Sequence, residues 1–354
     1  MLDDSATTTE STEAQTAASS LAIQKPTRDR TNFAGREASL RNRGWKAAMI
    51  KEAPVAVAVV GLGSMGLGMA KSISRSNLPV SGFDLDGKAM AAMAQIGRVG
   101  VSAADAVKGS GIVIVVVVNA AQTRSVLFGN NGAAEAMAPG SVIVSCATMS
   151  PDDARALARD AEAVGLLYLD APISGGAAKA AEGQLTIMAS GSAAAFARAR
   201  PALDAMAAKV YQLGGDVGLG ASFKMVNQLL AGVHIAAACE AMTFAAKLGL
   251  DLSKVHEVIK ASAGNSWMFE NRGQHIVDGD YQPRSAVSIF TKDLGIVSDM
   301  ARQQKFPAQM ASTALQLFLM TAAAGMEQDD DASVARMIAD LTGTSIPRPR
   351  TQGA

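Results

Sequence analysis

The sequence predicts an α/β chain, with a doubly wound, largely parallel sheet over about 54–215 and helices alone over about 216–345. Three observations carry this expectation. Short apolar runs alternate with helical patterns from Val55 onward. A glycine cluster, "GGDVGLG" at 214–220, then breaks the alternation. Beyond it, every periodic segment has helical spacing.

The elements follow in order. "VAVAVVGLG" is a buried strand ending in glycines, and a helix is expected over 66–77. "LPVSGFDLD" is a second strand, with a helix over 87–95. "SGIVIVVVVN" and "GSVIVSCAT" are further strands. The run 112–118 is apolar throughout, with the length of a buried strand and far short of a membrane span. "SPDDARALARDAEAVG" begins a helix with Ser150 as N-cap and Pro151 at the first helical position. "LLYLDAPISGG", "LTIMASG" and "KVYQLG" are strand-like. After the glycines a long helix is expected from about 221 to 248. A helix so apolar calls for cover on all sides, a second subunit included. Shorter helices are expected near 253–262, 266–276, 285–304, 307–323 and 330–342.

Composition bounds the function. With 354 residues, 49% of them hydrophobic and 18% charged, the chain can build a sizeable core. A net charge of zero argues against a nucleic-acid footprint or a polybasic membrane patch. Cys146 and Cys239 stand alone, which fits a reducing compartment and argues against a disulfide framework or a cysteine zinc site. No metal motif is present, no segment is expected to span a membrane, and the first residues lack a leader pattern. A cytoplasmic location is therefore expected. Residues 1–50, with "SATTTESTEAQTAASS", are expected to form a disordered extension, and "SIPRPRTQGA" a loose tail.

"VVGLGSMGLGMA" places Gly61, Gly63 and Gly66 in the G-x-G-x-x-G spacing between a strand and a helix. The first glycine allows the tight turn, the second the approach of a pyrophosphate, and the third close helix–strand packing. The second strand ends at Asp84, eighteen residues after Gly66, where a carboxylate can accept from both ribose hydroxyls of NAD and repel the 2′-phosphate of NADP. The N-terminal part is thus expected to be a dinucleotide-binding (Rossmann) domain with NAD as cofactor. Asp86 is expected to be a turn residue. Asn119 and Thr148 close two strands at their carboxyl ends, where such folds bind ligands; each fits a nicotinamide contact or a cap.

Hydride transfer from an alcohol needs a base. His234, His256 and His275 have no acidic partner at an obvious spacing, whereas Lys224 opens a run with no further charge until Glu240. Burial would lower its pKa, and Lys292 in "FTKDLGIV" could be a second cation that lowers it further. Asn227, Gln228 and Ala231 share its helix face, so Asn227 could orient the amine or a substrate hydroxyl. "DAPISGGAAKAAEG" supplies Ser174, Gly175 and Gly176, whose backbone N–H groups suit a carboxylate; a plain strand-to-loop connection fits them equally.

Four blocks in order, "GLGSMG", "DAPISGG", "GASFKMVNQ" and "KDLGIV", resemble the β-hydroxyacid dehydrogenase family over roughly 55–345. The resemblance implies a Rossmann domain and a helical C-terminal domain for substrate and dimerisation; the long apolar helix points to a homodimer or homotetramer. It implies Lys224 as the catalytic residue and Ser174, Gly175 and Gly176 as substrate contacts. Its cofactor contacts fall on Gly61, Leu62, Gly63, Ser64, Met65 and Gly66, the Val118–Asn119 turn, Thr148 and Lys292. The stretches "LLAGVHIAAACEAM", "AGNSWMFENR" and "PRSAVSIFTKDLGIV" are similar to members acting on a small sugar acid, oxidised at C2. Asn265, Ser266, Trp267, Asn271 and Arg272 could then supply some of the polar contacts; capping and core packing on a helix fit them as well. Two positions depart from the family: Ala147 stands where a substrate-contacting serine is frequent, and Gln228 where a second asparagine is. A 3-hydroxyisobutyrate or tartronate semialdehyde substrate is the alternative within the family, and a non-catalytic NAD-binding sensor or scaffold the alternative outside it.

Overall fold

The computed structural model describes residues 55–348. The expectations for 1–50, and for the last residues of the tail, lie outside the described residues.

The N-terminal part runs β1 (Val57–Val60), α1 (Gly66–Arg75), β2 (Val80–Phe83), α2 (Gly87–Met93), β3 (Arg98–Val99), α3 (Ala103–Val107), β4 (Ile112–Val115), α4 (Ala120–Phe128), β5 (Val142–Ser145), α5 (Pro151–Ala163), β6 (Leu167–Asp170), β7 (Ile173–Ser174), α6 (Gly176–Glu182), β8 (Leu185–Gly191), α7 (Ala193–Met206) and β9 (Ala207–Gln212). β3-β2-β1-β4-β5-β6 are parallel, in the doubly wound order with its switch point between β1 and β4. The sheet continues through β8, antiparallel to β6, with β7 and β9 on its flanks. β1 and β4 read as unbroken apolar runs, and β5 as one up to Ser145, because both faces of the sheet are covered. Val57, Val59, Ile112 and Ile114 join one core cluster; Ala58, Val113, Val115 and Ile143 join another, on the opposite face.

Several features were not expected, the helices α4 and α6 among them. β3 and α3 fill 98–107, too short to leave a periodic signal. α7 forms despite Pro201 in its interior. "LLYLDAPISGG" is two strands rather than one, divided at Ala171–Pro172, where proline cannot donate to a ladder.

The C-terminal part runs α8 (Leu219–Lys247), α9 (Leu252–Lys260), α10 (Trp267–Asp278), α11 (Val287–Gln303), α12 (Gln309–Thr321) and α13 (Val334–Thr342), with a 3₁₀ turn at Asp331–Ser333. α8 is its axis. Ile235, Cys239 and Met242 on α8 pack with Phe290, Leu294 and Phe318 in a separate core. Contrary to the expectation for membrane spans, α8 is long and apolar enough to cross one by length and composition alone; half of its most apolar stretch is buried in the chain. Within the single chain α8 is not covered all round. Phe223 (54% exposed), Val226 (64%), Leu230 and Phe244 (62%) form an uncovered stripe on its outer face.

Candidate active site

The sheet lines up the candidate residues. Phe83, Val60, Val115, Ser145 and Asp170 form one row of paired residues across β2, β1, β4, β5 and β6. Gly61, Asp84, Asn119 and Thr148 all lie just beyond that row, at the carboxyl edge.

The glycine loop leaves β1 at Gly61, with φ +93°, where a Cβ would stand 2.4 Å from the Val116 carbonyl oxygen. At Gly66 a Cβ would meet the Gly61 carbonyl oxygen at 1.9 Å, so only glycine lets α1 start this close to the strand. Beside Gly63 the space is open, as a pyrophosphate requires. α1 has no side-chain cap, which leaves its first turn for an anion. The Leu62 N–H donates to Asp84 Oδ2, and the Asp86 N–H to Oδ1 at 2.9 Å. Asp84 is thereby fixed beside the loop with lone pairs left for ribose hydroxyls. These residues fit a nicotinamide dinucleotide. Asp86 is the N-cap of α2, and Asn119 the N-cap of α4, its Oδ1 accepting from Gln122 N at 2.8 Å. The Asn119 Oδ1 thus caps its helix, and Val118 is exposed beside it.

α8 begins without a cap from its own chain neighbours. Gly218, at φ +101°, precedes it, and Asp170 caps it from β6. Asp170 Oδ2 accepts from Gly218 N at 3.0 Å and Ala221 N at 2.9 Å, while Ser190 Oγ accepts from Gly220 N at 3.0 Å. Burial pushes the Asp170 carboxyl up to about 6, and those backbone bonds oppose the shift. One turn further on, Lys224 is 8% exposed, and its Nζ donates to the Ile173 carbonyl at 2.9 Å. Burial pushes the amine down to about 8; Asp293 works against this and Lys292 adds to it. Ile173 leads directly into Ser174, Gly175 and Gly176, and the glycines turn the chain with φ +138° and +81°. Lys292 Nζ pairs with Asp293 and lies 3.4 Å from the Thr148 carbonyl oxygen.

The structure therefore brings Lys224, the Ser174–Gly176 loop, Lys292 and Thr148 together, and Asp84 with the glycine loop. Asn227 does not reach the lysine; its amide donates to Gln228 Oε1 at 2.9 Å. Ala147 is a buried methyl in the same core cluster as Ala221.

Several expected contacts belong elsewhere. Arg272 is bound by Asp331, Nη2 to Oδ2 at 2.9 Å, inside the helical core, and Asn271 accepts from its guanidinium. Ser266 is the N-cap of α10, and Asn265 bonds to the Lys260 carbonyl and Glu270. Trp267 is half-exposed. His275 does have an acidic partner, Asp330 at 2.9 Å, 55 residues away and so hidden from local spacing. The Arg284 guanidinium lies against the other ring nitrogen of His275. His256 bonds to the Glu270 carbonyl. Two residues of the site escaped the sequence reading, Asp170 and Asp293. The signal for each was a carboxylate set against an apolar run: Asp170 closing "LLYLD" and Asp293 in "KDLGIV".

Comparison with known proteins adds to this geometry. A family model described as the NAD binding domain of 6-phosphogluconate dehydrogenase matches residues 56–215. A second, described as NAD-binding of NADP-dependent 3-hydroxyisobutyrate dehydrogenase, matches 218–338. The chain is 48% identical to an L-threonate dehydrogenase of Escherichia coli over 288 residues, 81% of this chain and 95% of that protein. It is 49% identical to an L-threonate dehydrogenase of Cupriavidus necator over 292 residues, 82% of this chain and 97% of that protein. Among solved structures, one described as 3-hydroxyisobutyrate dehydrogenase from Salmonella typhimurium matches with a TM-score of 0.77 at 49% identity, covering 80% of this chain and 99% of its own.

Proposed function

Because the chain belongs to the β-hydroxyacid dehydrogenase family, as an NAD-dependent hydroxyacid oxidoreductase, we propose that it oxidises L-threonate at C2 to 2-dehydro-L-erythronate. The observation that carries this reading is Lys224: buried, low in pKa, and tied to the carbonyl at the root of the Ser174–Gly176 loop. Bound NAD supplies the hydride acceptor. The backbone N–H groups of the Ser174–Gly176 loop receive the substrate carboxylate. Lys224, as the neutral amine, takes the C2 hydroxyl proton while the C2 hydrogen leaves with its electron pair. Asp84 receives the adenosine ribose and disfavours a 2′-phosphate.

The L-threonate dehydrogenases at 48–49% identity support the substrate. A second reading, oxidation of 3-hydroxyisobutyrate, is favoured by the description of the Salmonella typhimurium structure. A panel of four-carbon sugar acids and 3-hydroxy acids, followed by NADH absorbance with NAD or NADP, separates them. L-Threonate with NAD should give the highest kcat/KM. A preference for 3-hydroxyisobutyrate would sink the substrate, a preference for NADP the role of Asp84, and NAD binding without any turnover the enzyme reading.

The same proposal includes self-association through the outer face of α8, supported by the exposed stripe from Phe223 to Phe244. Light scattering should give a dimer or tetramer, and Phe244→Glu should shift it towards monomer; a wild-type monomer at micromolar concentration would rule this out.

A further inference from the structure

The base proposed above has an acidic neighbour that ought to hinder it. Asp293, on α11, is 1% exposed. A carboxylate close to a lysine favours the ammonium form, and Asp293 does oppose the downward shift of Lys224. Yet Lys224 donates to the Ile173 carbonyl, and both oxygens of Asp293 are engaged elsewhere. Oδ1 receives the Lys292 ammonium, and Oδ2 receives Gln228 Nε2 at 2.5 Å. Gln228 is buried one turn after Lys224 on the same face of α8, and its Oε1 is held by Asn227. The donors are ordered: Asn227 into Gln228, Gln228 into Asp293, and Lys292 into Asp293 from the other side.

We propose that Gln228 is a positioning residue, whose neutral amide holds Asp293 Oδ2 and so keeps that carboxylate from pairing with Lys224. The inference rests on the reading of Lys224 as the base. A hydrocarbon at 228 would leave Oδ2 buried without a donor, a costly state. The cation one turn back on the same face is Lys224, and pairing with it would relieve that cost.

Several other charged groups on the elements packed against α8 have partners of their own. Asp170 on β6 is bound to the start of α8 and to Ser190. Arg155 on α5 pairs with Asp152. On α10, Arg272 and His275 pair with Asp331 and Asp330, and Glu270 accepts from Asn265. On α9, Lys254 pairs with Glu257 and His256 bonds to the Glu270 carbonyl. On α13, Arg336 pairs with Asp329 and Asp340 with Arg348. β7, β8 and α12 bring no ionisable side chain.

The test is the pH profile of kcat/KM for oxidation of the best acid in the panel, in wild type, Gln228→Met, Asp293→Asn and the double variant. Gln228→Met should move the acid limb up by about one pH unit, with turnover recovering at high pH. In the Asp293→Asn background the same change should move it little. Gln228→Asn, too short to reach Oδ2, should act in the same direction and serves if the methionine variant does not fold. An unmoved limb in a folded variant overturns the inference, as does an equal shift with and without the Asp293 carboxylate. If Lys224→Ala abolishes turnover while the Gln228 variants leave the limb in place, the role of Gln228 alone fails. If Lys224→Ala retains turnover, the base assignment fails, and this inference with it.

Discussion

Lys224→Ala is expected to lower turnover by about 10²–10⁴-fold, the range that a positioned acid or base contributes. NAD binding should be nearly unchanged, because Asp84 and the Gly61–Gly66 loop stand on the sheet and α1 rather than on α8. NADH absorbance reads the first and equilibrium dialysis of NAD the second. The pH dependence gives a second, independent sign. Burial brings the Lys224 amine to about 8, so the base form accumulates above that value. Oxidative kcat/KM should climb as pH rises through about 8. In the reductive direction the ammonium is the acid, so the rate should fall over the same window. The residual activity of Lys224→Ala should lack this limb. Near-wild-type turnover in that variant would end the assignment.

The second large effect concerns stability. Arg272→Met is expected to cost roughly 3–5 kcal/mol, because it leaves the Asp331 carboxylate buried without its cation. Burial works against the guanidinium charge, but Asp331, with Asp330 beyond it, offsets this and holds the Arg272 pKa above the usual arginine value. Removing both charges, as in Arg272→Met with Asp331→Leu, should cost much less than the sum of the single changes. Urea denaturation measures these differences, and KM of the folded Arg272→Met variant supplies a control. A rise in KM with unchanged stability would return Arg272 to the substrate site and overturn its role in the core.

What could be read from the sequence, and what could not, follows from the range of each interaction. Strands such as "VAVV" and "IVIV" announce themselves because a doubly covered parallel sheet demands apolar residues on both faces. The glycine loop, and Asp84 bonded to it, were legible because both lie within one β-α-β unit. Lys224 stood out as a charge in an apolar helix, and its depressed pKa agrees with that expectation. The partners of these residues were another matter. Nothing local links Asp170 to the start of α8, His275 to Asp330, or Gln228 to Asp293, since each pair is made only when distant segments pack. Arg272 could be read either as a substrate contact or as core packing for the same reason: near polar neighbours in sequence, it is turned by α10 into the helical core. Asn119 is legible at both levels, a residue at the carboxyl edge of the sheet whose side-chain oxygen caps its own helix.

The cap that Asp170 places on α8 works as a ruler. Its carboxylate grips Gly218 and Ala221, and the catalytic candidate stands one turn beyond. Each residue of a helix advances the chain by about 1.5 Å and rotates it by about 100°. The glycine-rich approach at 214–217 can therefore gain or lose residues as a loop, whereas the interval from Ala221 to Lys224 cannot. One residue more or fewer there would carry the amine around the helix, away from the Ile173 carbonyl. Sequence drift among related enzymes, and any attempt to graft this helix onto another sheet, is thus permitted on one side of the cap and forbidden on the other.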